Sequence, residues 1–403
     1  MNIFIAIVGL AALVFVHELG HFLTALATGM RPRKFYVGFP PALLKVRRRG
    51  IEYGLGAIPL GGYVRIPGMH RPAPGDVDVH FASARAERPE LTHPLERLKR
   101  ALEEGEMRTA REELAGLPEL VRLAKLSPAA RRAAERGLRD LDDALGPDAY
   151  WRQRTWRRLA VIAAGPFTNV LLAVVLFATL YVVSSGGYRL GFRLESEPTA
   201  AIVADVQAGE PAGRMGLRSG DRIVRVNDEP VDDFADVAPL IQDSEGDAVA
   251  LTVVRDGRRV RLGPERPRAI DSYSVPAAAW RSVRLTGLVT KEIFKSLGQL
   301  VTGEGREQIA SPVGIVQGSS DALDEGAERY LWVLGLISLS LALLNLLPLL
   351  PLDGGHITFS IIEGIRGRSV GREIYERVSA IGIAIVLLLF FVGLSNDVGR
   401  LGE

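Results

Sequence analysis

The sequence predicts a polytopic α-helical membrane protein with four transmembrane helices and soluble α+β parts on both sides of the bilayer. Three observations carry this. Four stretches are apolar over the length a bilayer-spanning helix needs: roughly 3–28, 159–183, 331–352 and, near the lower length limit, 379–395. Lysines and arginines gather beside those stretches rather than within them. Finally, 47% of the 403 residues are hydrophobic while 24% are charged, so polar residues are concentrated in the intervening segments. The formal net charge of +2 gives no reason to expect a nucleic-acid partner. The chain has no cysteine, which excludes disulfides and thiolate metal sites, so any metal must be held by His, Asp or Glu.

The first apolar stretch, within residues 1–30, carries FVHELGHF at 15–22. A cleaved leader wants a basic start and an unbroken apolar core. Here the basic residues follow the stretch and three ionisable groups interrupt it. After it come Arg31, Arg33, Lys34, Lys45 and Arg47 to Arg49; Arg152, Arg154, Arg157 and Arg158 precede the second stretch; Arg366, Arg368, Arg372 and Arg377 lie between the third and fourth. With four spans all three clusters fall on one side, which places them inside and both termini outside.

Between the first two spans, residues 31–83 lie on the inner side, contain IEYGLGAIPLGGYVRIPG and read as short strands with glycine turns and loops. Residues 84–150 are rich in Ala, Leu, Glu and Arg at helical spacing and read as a helical insert, a small solvated helical hairpin. The second span, 157–184, has no charged residue over Leu159–Val183. Residues 190–268 alternate in the manner of strands. Within them PAGRMGLRSGDRIVRVND, spaced as small-residue turn, short helix, Gly-Asp turn and strand, resembles the signature of a bacterial PDZ domain. Such a domain binds extended peptides, including substrate C-termini, by adding a strand to a sheet edge. The third span covers 329–353 and the fourth 378–397.

The chemistry sits in HELGH. His17 and His21 are four apart, one above the other on a helix face, and Glu18 is next to the first. In this H-E-x-x-H arrangement two neutral imidazoles bind Zn²⁺ and the glutamate is general base. Three such groups within a span are costly, about 2.5–3.5 kcal/mol for an ionised residue at mid-depth, which marks a functional site. A catalytic zinc has three protein ligands and an open position. Glu52 lies at a workable sequence distance but beyond the basic flank of the first span. Asp353, in NLLPLLPLDGGH at 345–356, ends the third apolar stretch on the inner side and is the better candidate. Pro348, Pro351 and Gly354-Gly355 break the helix there, which is tolerated where it lines a cavity. The amide of Asn345 has the chemistry to hydrogen-bond a substrate backbone. A zinc transporter or sensor, and a scaffold built round the PDZ-like part with an inactive site, are the competing classes; the first leaves Glu18 without a task, the second leaves the whole cluster so.

Taken in order, HELGH, GGYVRIPG, AAGPFTNVLLAVVLF, the PDZ-like signature, SPVGI and NLLPLLPLDGGH resemble the bacterial site-2 protease family, of the regulator-of-sigma-E-protease type. The resemblance covers most of the chain but not the helical insert. It implies an intramembrane zinc metalloprotease of the bacterial inner membrane. The substrate it implies is a transmembrane protein, such as an anti-sigma factor, already shortened by another protease. Carried over, His17, His21 and Asp353 bind zinc, Glu18 activates water, Asn345 holds the substrate backbone and Asn169 lines the site. The resemblance also implies that Gly61, Gly62 and Tyr63 belong to an inner, membrane-associated β-hairpin that presents substrate as an extended strand, and that residues 272–328 form amphipathic elements near the outer surface. The family resemblance leaves the insert without a role.

Overall fold

A computed structural model describes residues 1–183, 187–194, 201–231, 236–269, 273–302, 305–306, 309–368 and 370–401. Parts of the expected 190–268 domain (195–200 and 232–235) and of the expected 272–328 elements (272, 303–304 and 307–308) lie outside these residues. The chain divides into two compact units, one formed by residues 1–176 with 285–403 and the other by residues 177–284.

In the first unit, helix α1 (Asn2–Ala27) is apolar on nearly every side, as a helix facing lipid must be. It stops where Gly29 turns left-handed at φ 87°: the Gly29 amide donates to the Leu26 carbonyl at 3.2 Å and that of Met30 to Ala25 at 2.9 Å, which closes the last turn. Strands β1 (Lys34–Arg48) and β2 (Ile51–Arg65) follow. They are longer than the short strands expected, and they bend so that each pairs more than once. Residues 34–37 pair with 52–55 on one side and with 62–65 on the other, while 42–48 pair with 51–56. The order across the sheet is therefore 42–48, 51–56, 34–37, 62–65, with the GGYV segment on an edge.

The insert starts at Pro74 rather than at 84, and it is a bundle of four helices rather than a small hairpin: α2 (Pro74–Glu87), α3 (Thr92–Glu103), α4 (Met107–Leu123) and α5 (Pro128–Leu145). Apolar residues at helical spacing, among them Phe81, Leu95, Leu98, Leu117 and Leu141, form a core of their own. Ser127 caps α5 by accepting from the Ala130 amide, with Pro128 in the first turn.

Among the described residues four helices are long and apolar enough to cross a membrane: α1, α6 (Thr155–Val183), α11 (Ala327–Asn345) and the 373–399 part of α13 (Arg372–Leu401). The third span does not run on to Asp353 as one helix. It ends at Asn345, the chain turns through 346–352 with its two prolines, and Asp353 opens a new helix, α12 (Asp353–Arg366). Gly354 and Gly355 are needed because a Cβ on either would lie 2.2 and 2.5 Å from the backbone of Leu347 and Leu350. His356 lies inside α12, with its ring centroid 6.1 Å from that of Tyr375.

The second unit contains β3 (Tyr188–Arg189), β4 (Phe192–Leu194), β5 (Val203–Val206), α7 (Pro211–Arg214), β6 (Arg222–Val226), β7 (Glu229–Pro230), α8 (Val237–Gln242), β8 (Val249–Arg255), β9 (Arg258–Glu265) and β10 (Arg268–Ala269). Its largest sheet has the order β7-β6-β8-β9. Within PAGRMGLRSGDRIVRVND the short helix is α7 and the strand is β6, β5 lies just before the motif, and Ile223, Val226, Leu251 and Val253 fill the core. The amphipathic stretch beyond consists of α9 (Val275–Thr302) and α10 (Pro312–Asp324). SPVGI is the start of α10: Ser311 caps it, and the Asp397 carboxylate accepts from the Ser311 and Gly314 amides at 2.8 and 3.1 Å.

Candidate active site

Helix α1 presents His17 and His21 as the spacing requires, both 7% exposed and with ring centroids 4.9 Å apart. Asp353, the first residue of α12, reaches them from more than three hundred residues away. Its Oδ2 lies 3.2 Å from His17 Nε2 and 3.3 Å from His21 Nε2, and the two Nε2 atoms are 3.2 Å apart. Among the described residues this is the one group of three such ligand atoms close enough to share an ion. A tetrahedral ion bound at about 2.0 Å spaces its ligands about 3.3 Å apart, so the triangle has the dimensions of one face of a zinc site.

The donor set agrees. His21 Nδ1 donates to the Val161 carbonyl of α6 at 2.8 Å. In a neutral ring this puts the proton on Nδ1 and turns the Nε2 lone pair toward the other two ligands. Three electron-rich atoms then converge in a largely buried place, an arrangement that a cation stabilises. His17 Nδ1 has no partner among the described residues.

Helix α6 supports this face of α1. A Cβ on Gly20 would fall 2.6 Å from the Ala164 carbonyl oxygen, and one on Gly165 would fall 2.2 Å from His21 Nε2. Thr168 Oγ1 donates to the Val16 carbonyl at 3.1 Å. The two helices thus touch backbone to backbone where the histidines sit. Gly165, Gly20 and the Val161 carbonyl were not singled out from sequence. The small residues of AAGPFT, on an otherwise bulky span, are the signal that marks a close helix contact.

Asn169 is one helical turn beyond Gly165, on the same side of α6. It is fully buried, its carbonyl accepts from Ser338 Oγ of α11 at 2.8 Å, and its side-chain amide has no partner among the described residues. Asn345 is half-buried at the last turn of α11, ahead of the break that leads to Asp353.

The edge segment of the sheet runs beside α1. A Cβ on Gly62 would lie 2.8 Å from Glu18 Cγ, so the absence of a side chain there lets strand and glutamate approach. A Cβ on Gly61, at φ 159°, would lie 2.4 Å from the Phe39 ring. Tyr63 stacks on Tyr36 with centroids 5.1 Å apart and planes 6° from parallel. Glu52, the alternative third ligand, is engaged elsewhere. It accepts from Tyr36 Oη at 2.7 Å and lies 3.4 Å from Lys34 Nζ, and these partners hold its carboxyl below the usual glutamate range. The same contact pushes the Tyr36 phenol up to about 12.

Comparison with known proteins agrees with this arrangement. The model of peptidase family M50 matches residues 5–389. A protein of Agrobacterium fabrum described as a candidate zinc metalloprotease, Atu1380, is 30% identical, over 97% of this chain and 94% of its own length. One of Mesorhizobium japonicum with a similar description is 29% identical over 96% of each chain. The zinc metalloprotease RasP of Bacillus licheniformis is 29% identical over 99% of this chain and 98% of its own. Spanning nearly the whole sequence, histidine pair and distant aspartate included, these matches establish that the chain belongs to peptidase family M50.

Proposed function

We propose that the protein is a zinc metalloendopeptidase that hydrolyses peptide bonds within or near the transmembrane helices of membrane-anchored substrates. The observation that carries the reading is the His17–His21–Asp353 triangle, with edges of 3.2–3.3 Å, set beside Glu18 on a helix long and apolar enough to cross a bilayer.

His17, His21 and Asp353 hold the metal, and Glu18 serves as the proton carrier. Bound there, zinc supplies Lewis-acid polarisation of the scissile carbonyl and makes water more acidic. Glu18 takes a proton from the attacking water and returns it to the departing amide nitrogen. A helical substrate has its carbonyls engaged four residues along and must first unwind. The edge segment 61–65 offers new partners to the freed backbone by strand addition, with Gly61, Gly62 and Tyr63 forming the contact. Asn345 and Asn169 supply amide groups to the same backbone. A buried, unpaired amide such as that of Asn169 is costly until it finds a partner, which suits a group that waits for substrate.

In the cell the reading places the protein in a bacterial inner membrane, with both termini outside, the insert inside and residues 190–268 outside as a PDZ domain that takes a peptide or substrate C-terminus. Its substrate class is a transmembrane protein pre-cut by another protease, anti-sigma factors among them. The test is purified protein in detergent with a tagged transmembrane peptide. Cleavage that a chelator stops and added zinc restores is the expected outcome; metal flux without cleavage would overturn it in favour of a transporter.

A further inference from the structure

The insert and the sheet meet at one carboxylate. Arg33, just ahead of β1, donates from Nε to Asp143 Oδ1 at 2.7 Å. Arg65, the last residue of β2, donates to Asp143 Oδ2 at 3.0 Å and to Asp140 Oδ1 at 2.6 Å. Arg33 also reaches Asp148 Oδ2 at 3.0 Å. Asp143, on α5, is 9% exposed, and its two oxygens accept from two arginines at one end of the sheet, where the start of β1 meets the end of β2.

The backbone supports the same junction. The Arg33 amide donates to the Arg65 carbonyl at 2.7 Å, which makes the two arginines cross-strand neighbours. Just past Arg65, the Tyr150 and Trp151 amides donate to the Pro67 and Gly68 carbonyls at 2.9 and 3.1 Å. A Cβ on Gly68, at φ 58°, would lie 2.6 Å from that of Ala149. The RIPG half of GGYVRIPG is therefore the part of the motif that docks the sheet on the end of the insert.

Strand register is weakly fixed where a strand is short, glycine-rich and at an edge, and a slip of one residue turns every side chain over. Segment 61–65 has all three properties, and it is the segment beside Glu18. We propose that Asp143 is a positioning residue for the reaction: by bridging Arg33 and Arg65 it fixes the register of the edge segment against β1, and so fixes which bond of an added substrate strand faces Glu18. The insert is then a brace for the substrate-presenting sheet. The fork of two arginines on one carboxylate suits this, since it sets direction as well as distance. Being held at its base, the edge can accept a strand at its free side without sliding. The proposal rests on the strand-addition reading given above.

The experiment uses the full-length protein in detergent, a tagged transmembrane peptide and mass spectrometry of the products, alongside zinc content and melting temperature. Asp143→Asn is expected to spread cleavage over bonds next to the wild-type one and to raise KM roughly tenfold, with zinc content unchanged. Asp143→Glu, which keeps both ion pairs but is one methylene longer, is expected to keep much of the activity and to move the preferred bond. A single wild-type cut with wild-type KM in Asp143→Asn overturns the proposal. If that variant does not fold, the same result in Asp143→Glu overturns it. A proline scan over residues 61–64 separates the two levels. If the scan abolishes cleavage while the Asp143 variants cut as wild type, only the brace is wrong. If the scan leaves cleavage intact, strand addition itself is wrong and the brace falls with it.

Discussion

Two aspartates, one in each unit, Asp221 buried and Asp353 half-buried, show what distinguishes a structural carboxylate from one built for a ligand. Asp221, before β6, is 1% exposed and fully served by the protein: Arg255 donates to both its oxygens at 2.7 Å and the Arg218 amide adds a third bond at 2.9 Å. Asp353 faces two imidazole nitrogens, one of which turns its lone pair inward because its ring proton is committed to Val161. No lysine or arginine pairs with Asp353 among the described residues. The first carboxylate has a guanidinium of its own, and the second has a place where a cation fits. Withdrawing a charge from water without compensation is expensive, and a metal bound between the three groups would supply that compensation.

The sharpest way to break this comparison is to remove Asp353 and Glu18 in separate variants. Asp353→Ala is expected to lose both zinc and cleavage, read by metal analysis and by the transmembrane-peptide assay. Glu18→Gln is expected to keep zinc at the wild-type level and to lose cleavage by about 10²–10⁴-fold, since it removes only the proton carrier. Zinc retained in full by Asp353→Ala would reopen the third-ligand question. Glu52 would be the residue to revisit, although its bonds to Tyr36 and Lys34 argue against it.

An effect of intermediate size is expected at Gly165. Its Cα faces His21 so closely that a methyl would occupy the place of Nε2. Gly165→Ala changes no ligand, yet it must push the His21 ring or separate α6 from α1. By analogy with other changes just outside a metal's ligands, zinc affinity should fall about 10- to 100-fold. Competition with a metal-binding dye measures this. Unchanged affinity would mean that the helices separate without moving the ring.

These contacts also show what the sequence reveals and what it hides. HELGH was legible because two histidines at helical spacing have one obvious use inside an apolar span. Asp353 was legible because prolines and glycines announce a broken helix next to a carboxylate. The new helix that Asp353 begins was not: apolar residues run on through the break, and only the backbone contacts of Gly354 and Gly355 show that the chain turns back on itself. Gly165 and Gly20 were hidden because their role is a contact between helices far apart in sequence. The full extent of the insert was hidden, as α2 begins within residues 31–83, where strand and turn signals dominate. The link from Asp143 to Arg33 and Arg65 joins charges that, read singly, look like a solvated face and a membrane-flanking cluster.

The smallest effect on the reaction, and the best control for the comparison, belongs to Asp221. Burial alone would push its carboxyl up, but the bonds from Arg255 and the Arg218 amide outweigh this and hold it below the usual aspartate range. A carboxyl so lowered contributes stability that is fully present above its unfolded value, about 3.9, and is lost as pH falls through the folded value. The second unit should therefore loosen below about pH 4. Hydrogen exchange of β6 and β8 in the intact protein reports on this directly. Asp221→Asn leaves Arg255 without its counter-charge and should destabilise the unit by about 3 kcal/mol near neutral pH, while flattening that acid dependence. Zinc content should not change at all, because His17, His21 and Asp353 all belong to the other unit. A loss of zinc in Asp221→Asn would show that the two carboxylates are coupled, and the contrast between a self-sufficient aspartate and a metal-dependent one would no longer describe two independent sites.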